Sequence, residues 1–180
     1  GGATPAFLER KNGRIGLGDT NQLNGNTFYY TIGSLSTNQL RTVEGIFTSD
    51  AATNWWQSLG VHISSSGSPA SGFFVHVGLY PPDSAMIVEF YTNGFGVGLI
   101  TNVTFNFSKP FSSKTNNQFR YVIDPPMVWA ELNGEVRGTN IAAISGYNWG
   151  TNVIVQVGNI GGGGTPSDGR MWLDSIKASS

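Results

Sequence analysis

The chain has 180 residues, enough for one domain with a substantial core, and no composition shift marks a linker, so we expect a single domain spanning residues 1–180. Charged residues make up 12% of the chain, the formal net charge is −1 and Lys and Arg do not cluster, which argues against nucleic acid and anionic membranes as partners. The absence of cysteine excludes disulfides and thiolate metal sites, and no apolar run approaches the roughly 18 residues of a membrane span.

Short alternating runs of apolar and polar residues, separated by Gly, Pro, Asn and Asp, recur along the chain, and helical periodicity is almost absent. This pattern predicts an all-β protein. So many strands would curl or split as one open sheet, so we expect a two-sheet antiparallel β-sandwich of the jelly-roll type. The predicted strands are 5–10, 14–17, 27–33, 40–48, 59–64, 73–80, 86–92, 95–101, 102–108, 118–123, 127–132, 135–138, 141–145, 152–157 and 170–178.

The two histidines of the chain, His62 and His76, lie in neighbouring predicted strands on either side of a loop rich in Ser, Gly and Pro. Paired positions of an antiparallel hairpin have a constant sum, and a turn at the middle of this loop pairs His62 with His76. The next turn likewise pairs His76 with Glu89, and a hairpin before His62 would pair it with Glu44. We therefore predict a row of Glu44, His62, His76 and Glu89 across four strands, provided that no register slips by one residue.

Alternation along three strands places aromatic and titratable residues together on the faces that point away from the core. Exposed aromatic side chains among polar residues usually mark a contact site, although loops that cover the sheet would give the same pattern. The outward-facing residues are Phe74, His76 and Tyr80 in strand 73–80, Glu89 and Tyr91 in strand 86–92, and Trp129 and Glu131 in strand 127–132.

Four segments near the C-terminus follow one another in a characteristic order. A strand at 119–123 precedes a strand that ends in Asn133-Gly134, then come a strand ending in Gly158 and a last strand over 169–178. Asn-Gly is the signal of a type I′ hairpin. This order resembles the closing half of concanavalin A-like β-sandwich domains, and in pattern the resemblance covers about residues 40–178. It implies the fold rather than a particular activity.

Aromatic rings amid neutral polar residues favour a sugar-binding surface, because pyranose C–H faces stack on rings and hydroxyls bond polar groups. Adjacent aromatic residues in loops are good candidates, since neighbours in an extended loop do not all point inwards. We therefore predict a polysaccharide or glycan as partner. The candidate ligand-binding residues are Trp55, Trp56, Phe74, His76, Tyr80, Glu89, Tyr91, Trp129, Tyr147 and Trp149.

A small glycoside hydrolase or polysaccharide lyase is the alternative. A glycosidase needs two carboxylates roughly 5–10 Å apart, and Glu44, Glu89 and Glu131 are candidates, with His62 or His76 as a base beside a glutamate. However, the E-x-D-x-x-E strand of laminarinase-like hydrolases is absent. Residues 41–44 and 61–63 resemble two strands of alginate-lyase-like sandwiches, whose late strand with Lys and Tyr is missing here. The sequence thus favours binding over catalysis.

Calcium is the metal that best fits this fold, bound through loop carboxylates and carbonyls. The candidate ligands are Glu9 with Asp174, and none of the acidic loops has EF-hand spacing. The row of histidines and glutamates could ligate zinc, but we expect polar contacts there instead. No other cofactor is expected. Further calcium candidates are Asp19, Asn21, Asp50 and Asp168.

The favoured interpretation is an extracellular or cell-surface carbohydrate-binding domain, acting as a monomeric module of a larger polysaccharide-degrading protein or as a receptor-binding domain. A third hypothesis is a receptor-binding or structural domain of a viral or phage tail fibre on the virion surface. Low charge, abundant Gly and Asn and absent Cys suit it equally. A fibre domain would be a trimer.

Overall fold

A computed structural model of the chain describes residues 7–11, 14–18, 28–35, 42–49, 58–64, 74–80, 84–94, 97–109, 111–112, 115–147, 153–160 and 170–180. These residues form thirteen strands and one short 3-10 helix, Ala142–Ile144. In chain order the strands are β1 (Phe7–Lys11), β2 (Arg14–Gly18), β3 (Phe28–Leu35), β4 (Thr42–Ser49), β5 (Ser58–Ser64), β6 (Phe74–Tyr80), β7 (Ala85–Tyr91), β8 (Leu99–Asn106), β9 (Asn116–Asp124), β10 (Met127–Leu132), β11 (Glu135–Asn140), β12 (Val153–Ile160) and β13 (Arg170–Ser179).

The strands form two sheets, in which every pairing is antiparallel. The seven-stranded sheet has the order β1-β2-β13-β4-β9-β10-β11, and the six-stranded sheet has the order β3-β12-β5-β6-β7-β8. The predicted all-β, two-sheet antiparallel sandwich is therefore confirmed. In the described part of the chain, no helix has the length and apolar character needed to cross a membrane.

The core lies between the two sheets and is built from alternate residues of the central strands. In β6 the inward residues Val75, Val77 and Leu79 are all buried, as the alternation predicts. In β10, residues 128, 130 and 132 are buried while the residues between them are half-buried. Burial of each large aliphatic side chain contributes about 1.5–3 kcal/mol, so this two-sided pattern fixes which face of each strand points inwards.

A side-chain hydrogen bond from Tyr121 crosses the core from sheet to sheet. The Tyr121 hydroxyl of β9 donates to the backbone carbonyl of Gly78 in β6 over 2.5 Å, and the ring of Tyr121 is buried. Because a buried hydroxyl needs a partner, this bond places β9 opposite β6 and sets the depth at which the two sheets pack.

The turn between β10 and β11 has the predicted type I′ geometry. Asn133 and Gly134 have φ angles of 48° and 82°, and Leu132 pairs with Glu135 across the two-residue loop. The Asn133 side chain also accepts the backbone N–H of Gln118 and donates to the side chain of Asn117. The tight turn is thus bonded to the neighbouring strand β9.

Glu135 and Arg137 of the edge strand β11 join the two sheets along one side of the sandwich. Both Glu135 carboxylate oxygens accept the backbone N–H of Ser108, at 3.1 and 3.2 Å, and one also accepts the Ser108 hydroxyl at 2.9 Å. The Arg137 guanidinium lies 5.9 Å from the centre of the Phe107 ring and donates to the Asn106 carbonyl. These contacts hold the end of β8 against β11.

Two details of the predicted strands are wrong. Segments 95–101 and 102–108 are not separate strands, because Gly94 and Gly98 turn the chain with φ angles of 92° and 69°, and a single strand begins at Leu99. Segment 141–145 is not extended either. Its middle forms the 3-10 helix, which places Ile144 in the core.

Candidate functional site

Six polar residues occupy aligned positions across the six-stranded sheet, one in each strand. Residues aligned in this way project on the same face of an antiparallel sheet. The pairings of His62 with His76 and of His76 with Glu89 confirm the two predicted hairpin registers. From one edge of the sheet to the other, the row is Thr31, Gln156, His62, His76, Glu89 and Asn102.

The prediction that Glu44 is the fourth member of the row is wrong. Strand β4 lies in the seven-stranded sheet and does not pair with β5, so the chain between these strands crosses from one sheet to the other instead of forming a hairpin. The neighbour of His62 on that side is Gln156 of β12. Glu44 therefore lies on the opposite side of the sandwich from His76 and Glu89.

A row of three glycines runs beside the polar row. Gly158 pairs with Gly60, and Gly60 pairs with Gly78. Neighbouring strands lie about 4.8 Å apart, so these positions remove side chains from a strip roughly 10 Å wide. The sequence carries a signal for this feature, because a polar residue, a valine and a glycine recur in three strands that turn out to be neighbours. The three segments are residues 60–62, 76–78 and 156–158.

At Gly78 the missing side chain gives room to the imidazole of His76. A Cβ at this position would lie 3.2 Å from two His76 ring atoms and 2.9 Å from the Ile87 Cγ2 atom. Such contacts are shorter than packed carbon atoms allow, so a larger residue would push the imidazole away. The glycine thus lets the His76 ring lie against the backbone.

His76, Glu89 and Tyr91 form a hydrogen-bonded cluster centred on one carboxylate oxygen. His76 Nδ1 lies 2.8 Å from Glu89 Oε2, and the Tyr91 hydroxyl donates to the same oxygen over 3.0 Å. The His76 side chain is 1% exposed, whereas the Glu89 side chain is 19% exposed. The histidine is therefore placed to hold the carboxylate, and Glu89 is the member that solvent reaches.

The environment of Glu89 keeps its carboxylate ionised. Burial acts to raise the pKa of Glu89, but the hydrogen bond and the electrostatic attraction from His76, together with the hydrogen bond from Tyr91, outweigh it and hold the pKa below its ordinary value. Glu89 is consequently an acceptor of hydrogen bonds at neutral pH rather than a proton donor.

Residues of β7 and β8 next to this cluster are open to solvent. Asn102 and Thr104 are exposed, and they pair with Glu89 and Ile87, which are half-buried. An exposed amide beside an ionised carboxylate offers both donors and acceptors to a ligand. Among the residues whose side chains the structure describes, these four are the solvent-accessible members of the polar row and of the neighbouring glycine row.

The predicted aromatic contacts are divided between different places. Trp129 lies on the outer face of the seven-stranded sheet against Gly138. Alternation correctly predicts that it points away from the core, but it belongs to a different sheet from His76 and Glu89. Tyr147 is a core-edge residue, since its ring packs against Phe90 and its hydroxyl donates to the Tyr91 carbonyl. Phe74 and Tyr80 are at the two ends of β6, with side chains outside the described part of the structure, and Trp55, Trp56 and Trp149 lie outside the described residues.

Glu44 and Glu131 line a groove of about 500 Å³ on the outer face of the seven-stranded sheet. Glu44 lies 3.7 Å from Arg120 Nε and 3.9 Å from Lys177 Nζ, and all three side chains are at least two-fifths exposed. Exposed ion pairs of this length contribute about 0–1 kcal/mol each. The groove is thus lined by both signs of charge and is remote from the histidines.

Of the two main candidate calcium ligands, Glu9 and Asp174, the structure describes the side chain of Asp174. The Asp174 carboxylate pairs with the Arg14 guanidinium of β2, and the pairing of β13 with β4 shifts register at this residue. Glu9 is aligned with Gly16 in β1 and β2. Among the described residues, no group of three or more His, Asp or Glu side chains is close enough to hold one metal ion. Asp19, Asn21, Asp50 and Asp168 lie outside them.

Solved structures share this architecture, although no family model and no curated protein matches the sequence. The carbohydrate-binding module CBM66 from Bacillus subtilis has a TM-score of 0.60 at 10% identity, covering 98% of this chain and 92% of that one. The laminarinase catalytic domain from Thermotoga maritima has a TM-score of 0.57 at 12% identity, covering 96% and 79%. An alginate lyase from Pseudomonas aeruginosa has a TM-score of 0.55 at 12% identity, covering 98% and 87%. Likeness at such identities shows the fold, a concanavalin A-like jelly roll, as the sequence predicts.

Proposed function

We propose that this protein binds carbohydrate on the outer face of its six-stranded sheet, outside the cell. The observation that carries the proposal is the row of six aligned polar positions beside three aligned glycines. Sugar hydroxyls require many hydrogen-bonding partners in fixed positions, and the rigid backbone of a sheet provides them. At Gly78 the space that a side chain would fill is taken by the His76 ring, which lies against the backbone and holds the Glu89 carboxylate in position for a ligand.

The geometry at Glu89 suits a bound hydroxyl. One carboxylate oxygen accepts from His76 and Tyr91, which leaves the other oxygen of a partly exposed side chain for a ligand. Asn102 is the aligned neighbour and is exposed. We assign His76 as a positioning residue, because its side chain is buried and acts on a ligand through the carboxylate that it holds.

Proteins of the same fold support this function by what they do. One is a carbohydrate-binding module, one is a laminarinase domain and one is an alginate lyase. Binding is favoured over hydrolysis by the composition of the sheet. Glu89 is the only Asp or Glu within the six strands as the structure bounds them, whereas glycosidases use two carboxylates across the sugar.

A matched pair of amide substitutions tests the site. Asn102→Ala removes an exposed amide from the proposed site, and Gln118→Ala removes an exposed amide from the outer face of the seven-stranded sheet. Loss of one hydrogen bond costs about 0.5–1.5 kcal/mol, so Asn102→Ala should weaken glycan binding roughly 2- to 12-fold. Gln118→Ala should leave it unchanged. Calorimetric titration with the best ligand from a glycan array measures both.

Three results would speak against the proposal. If both variants weakened glycan binding equally, the ligand would bind elsewhere on the protein. If the protein bound no glycan on the array, the proposed function would be wrong. Release of reducing ends from a bound polysaccharide would make the protein an enzyme. Circular dichroism spectra of the variants serve as the folding control.

A further inference from the structure

Positive charge is distributed unequally between the two sheets. The chain has ten Lys and Arg residues, and none of them lies within the six strands that carry the proposed site. Glu89 is the only Asp or Glu residue of these strands. The seven cations in the strands of the other sheet are Arg10, Lys11, Arg14, Arg120, Arg137, Arg170 and Lys177.

Of the three remaining cations, Arg41 and Lys114 lie outside the described residues. Lys109 follows the end of β8, at the edge that Glu135 and Ser108 join to β11. No strand therefore presents a lysine or arginine beside Glu89, within the strand limits given above.

We infer that the ligand of this site is an uncharged glycan, and that polysaccharides bearing carboxylate or sulfate groups are rejected. This inference rests on the proposed function of the same site. An anionic sugar would lose hydration on the sheet without a lysine or arginine to replace it, since the buried His76 side chain is already bonded to Glu89. It would also be repelled by the ionised Glu89. A neutral sugar suffers neither effect, and its hydroxyls donate to the same carboxylate.

The fold itself does not impose this choice, because one protein with the same architecture is an alginate lyase. What separates ligand classes at this face is the charge of the strand residues. Arginine forms bidentate bonds to carboxylates and is the residue expected wherever a sheet face recognises them. The absence of arginine from all six strands therefore fits an uncharged ligand.

A binding panel tests the inference directly. Neutral β-glucan, xylan, mannan and fructan are compared with alginate and polygalacturonate, and the neutral glycan that binds best is retested after carboxymethylation. We expect binding to one or more neutral glycans, at least tenfold weaker binding of the carboxymethylated form, and little change in neutral binding between low and high salt.

Two charge variants locate the effect. Asn102→Lys adds a cation next to Glu89, so the difference in affinity between the neutral and the carboxymethylated glycan should become several-fold smaller. Gln118→Lys makes the same charge change on the opposite face and should leave this difference unchanged.

The outcomes separate the two claims. Tight binding of alginate or polygalacturonate that weakens with salt overturns the neutral-ligand inference and leaves carbohydrate binding standing. An unchanged difference in affinity between the two glycans in Asn102→Lys also overturns the neutral-ligand inference. Failure to bind any glycan on the panel rejects the proposed function, and the inference with it.

Discussion

Among single residues, Glu89 has the environment with the most specific chemical consequence. Its carboxylate is held between His76 and Tyr91 by two hydrogen bonds, and these contacts keep its pKa below the ordinary value. A depressed pKa in the folded state means that folding favours the ionised form. The resulting stabilisation is present above the unfolded pKa and is lost as the pH falls through the folded pKa.

Glu89→Gln should therefore lower stability in a pH-dependent way. Hydrogen bonds to a charged group contribute about 1.5–3 kcal/mol, so we expect the variant to be less stable by roughly 1–2 kcal/mol at pH 6. The difference should shrink below about pH 4.5, where the wild-type carboxylate begins to be protonated. Urea unfolding of both proteins at pH 6 and pH 3 measures it, and a difference that grows on acidification would contradict the assignment.

Among the structural elements, the sequence predicts two hairpins correctly and misses the connection between the two sheets. The hairpins β5–β6 and β6–β7 were predictable because short loops pair strands by a constant sum, which gave His62, His76 and Glu89 their register. The link from β4 to β5 is also short but joins strands of different sheets, so Glu44 was misplaced. Local patterns do not distinguish a hairpin from a crossover, because the difference lies in pairings distant in sequence.

The β10–β11 turn gives a prediction on one element. Gly134 has a φ of 82°, and an added Cβ there would meet no atom within 4 Å, so Gly134→Ala should cost about 1 kcal/mol through backbone strain alone. Gly146 is equally open but lacks a positive φ, and Gly146→Ala should be neutral or slightly stabilising. Thermal unfolding of both variants compares them, and equal destabilisation would argue against the type I′ turn.

For the whole molecule, the hydrogen bond from Tyr121 to Gly78 connects the core to the proposed site. It reaches the backbone of β6 from the inside, and the His76 ring lies over the same glycine on the outside. Packing between the sheets therefore supports the position of the Glu89 carboxylate through β6. Sequence alone could not show this, because residues 78 and 121 belong to different sheets.

Tyr121→Phe should accordingly affect both stability and binding. Removal of the hydroxyl should cost about 1 kcal/mol, which corresponds to roughly 2–4 °C in Tm for a chain of this size. Glycan affinity should fall by a smaller factor than in Asn102→Ala, because the bond acts through the backbone. Differential scanning calorimetry and titration on the same samples test the two effects, and an unchanged Tm would contradict the described bond.

The place of β12 between β3 and β5 has a consequence for how the protein is made. Its residues 153–160 are synthesised long after those two strands, yet they occupy the interior of the six-stranded sheet. Until β12 leaves the ribosome, β3 and β5 each present an unpaired strand edge, which is the kind of surface that joins other chains in aggregates. Pairings so distant in sequence also form slowly. The polar row therefore becomes complete only late in synthesis.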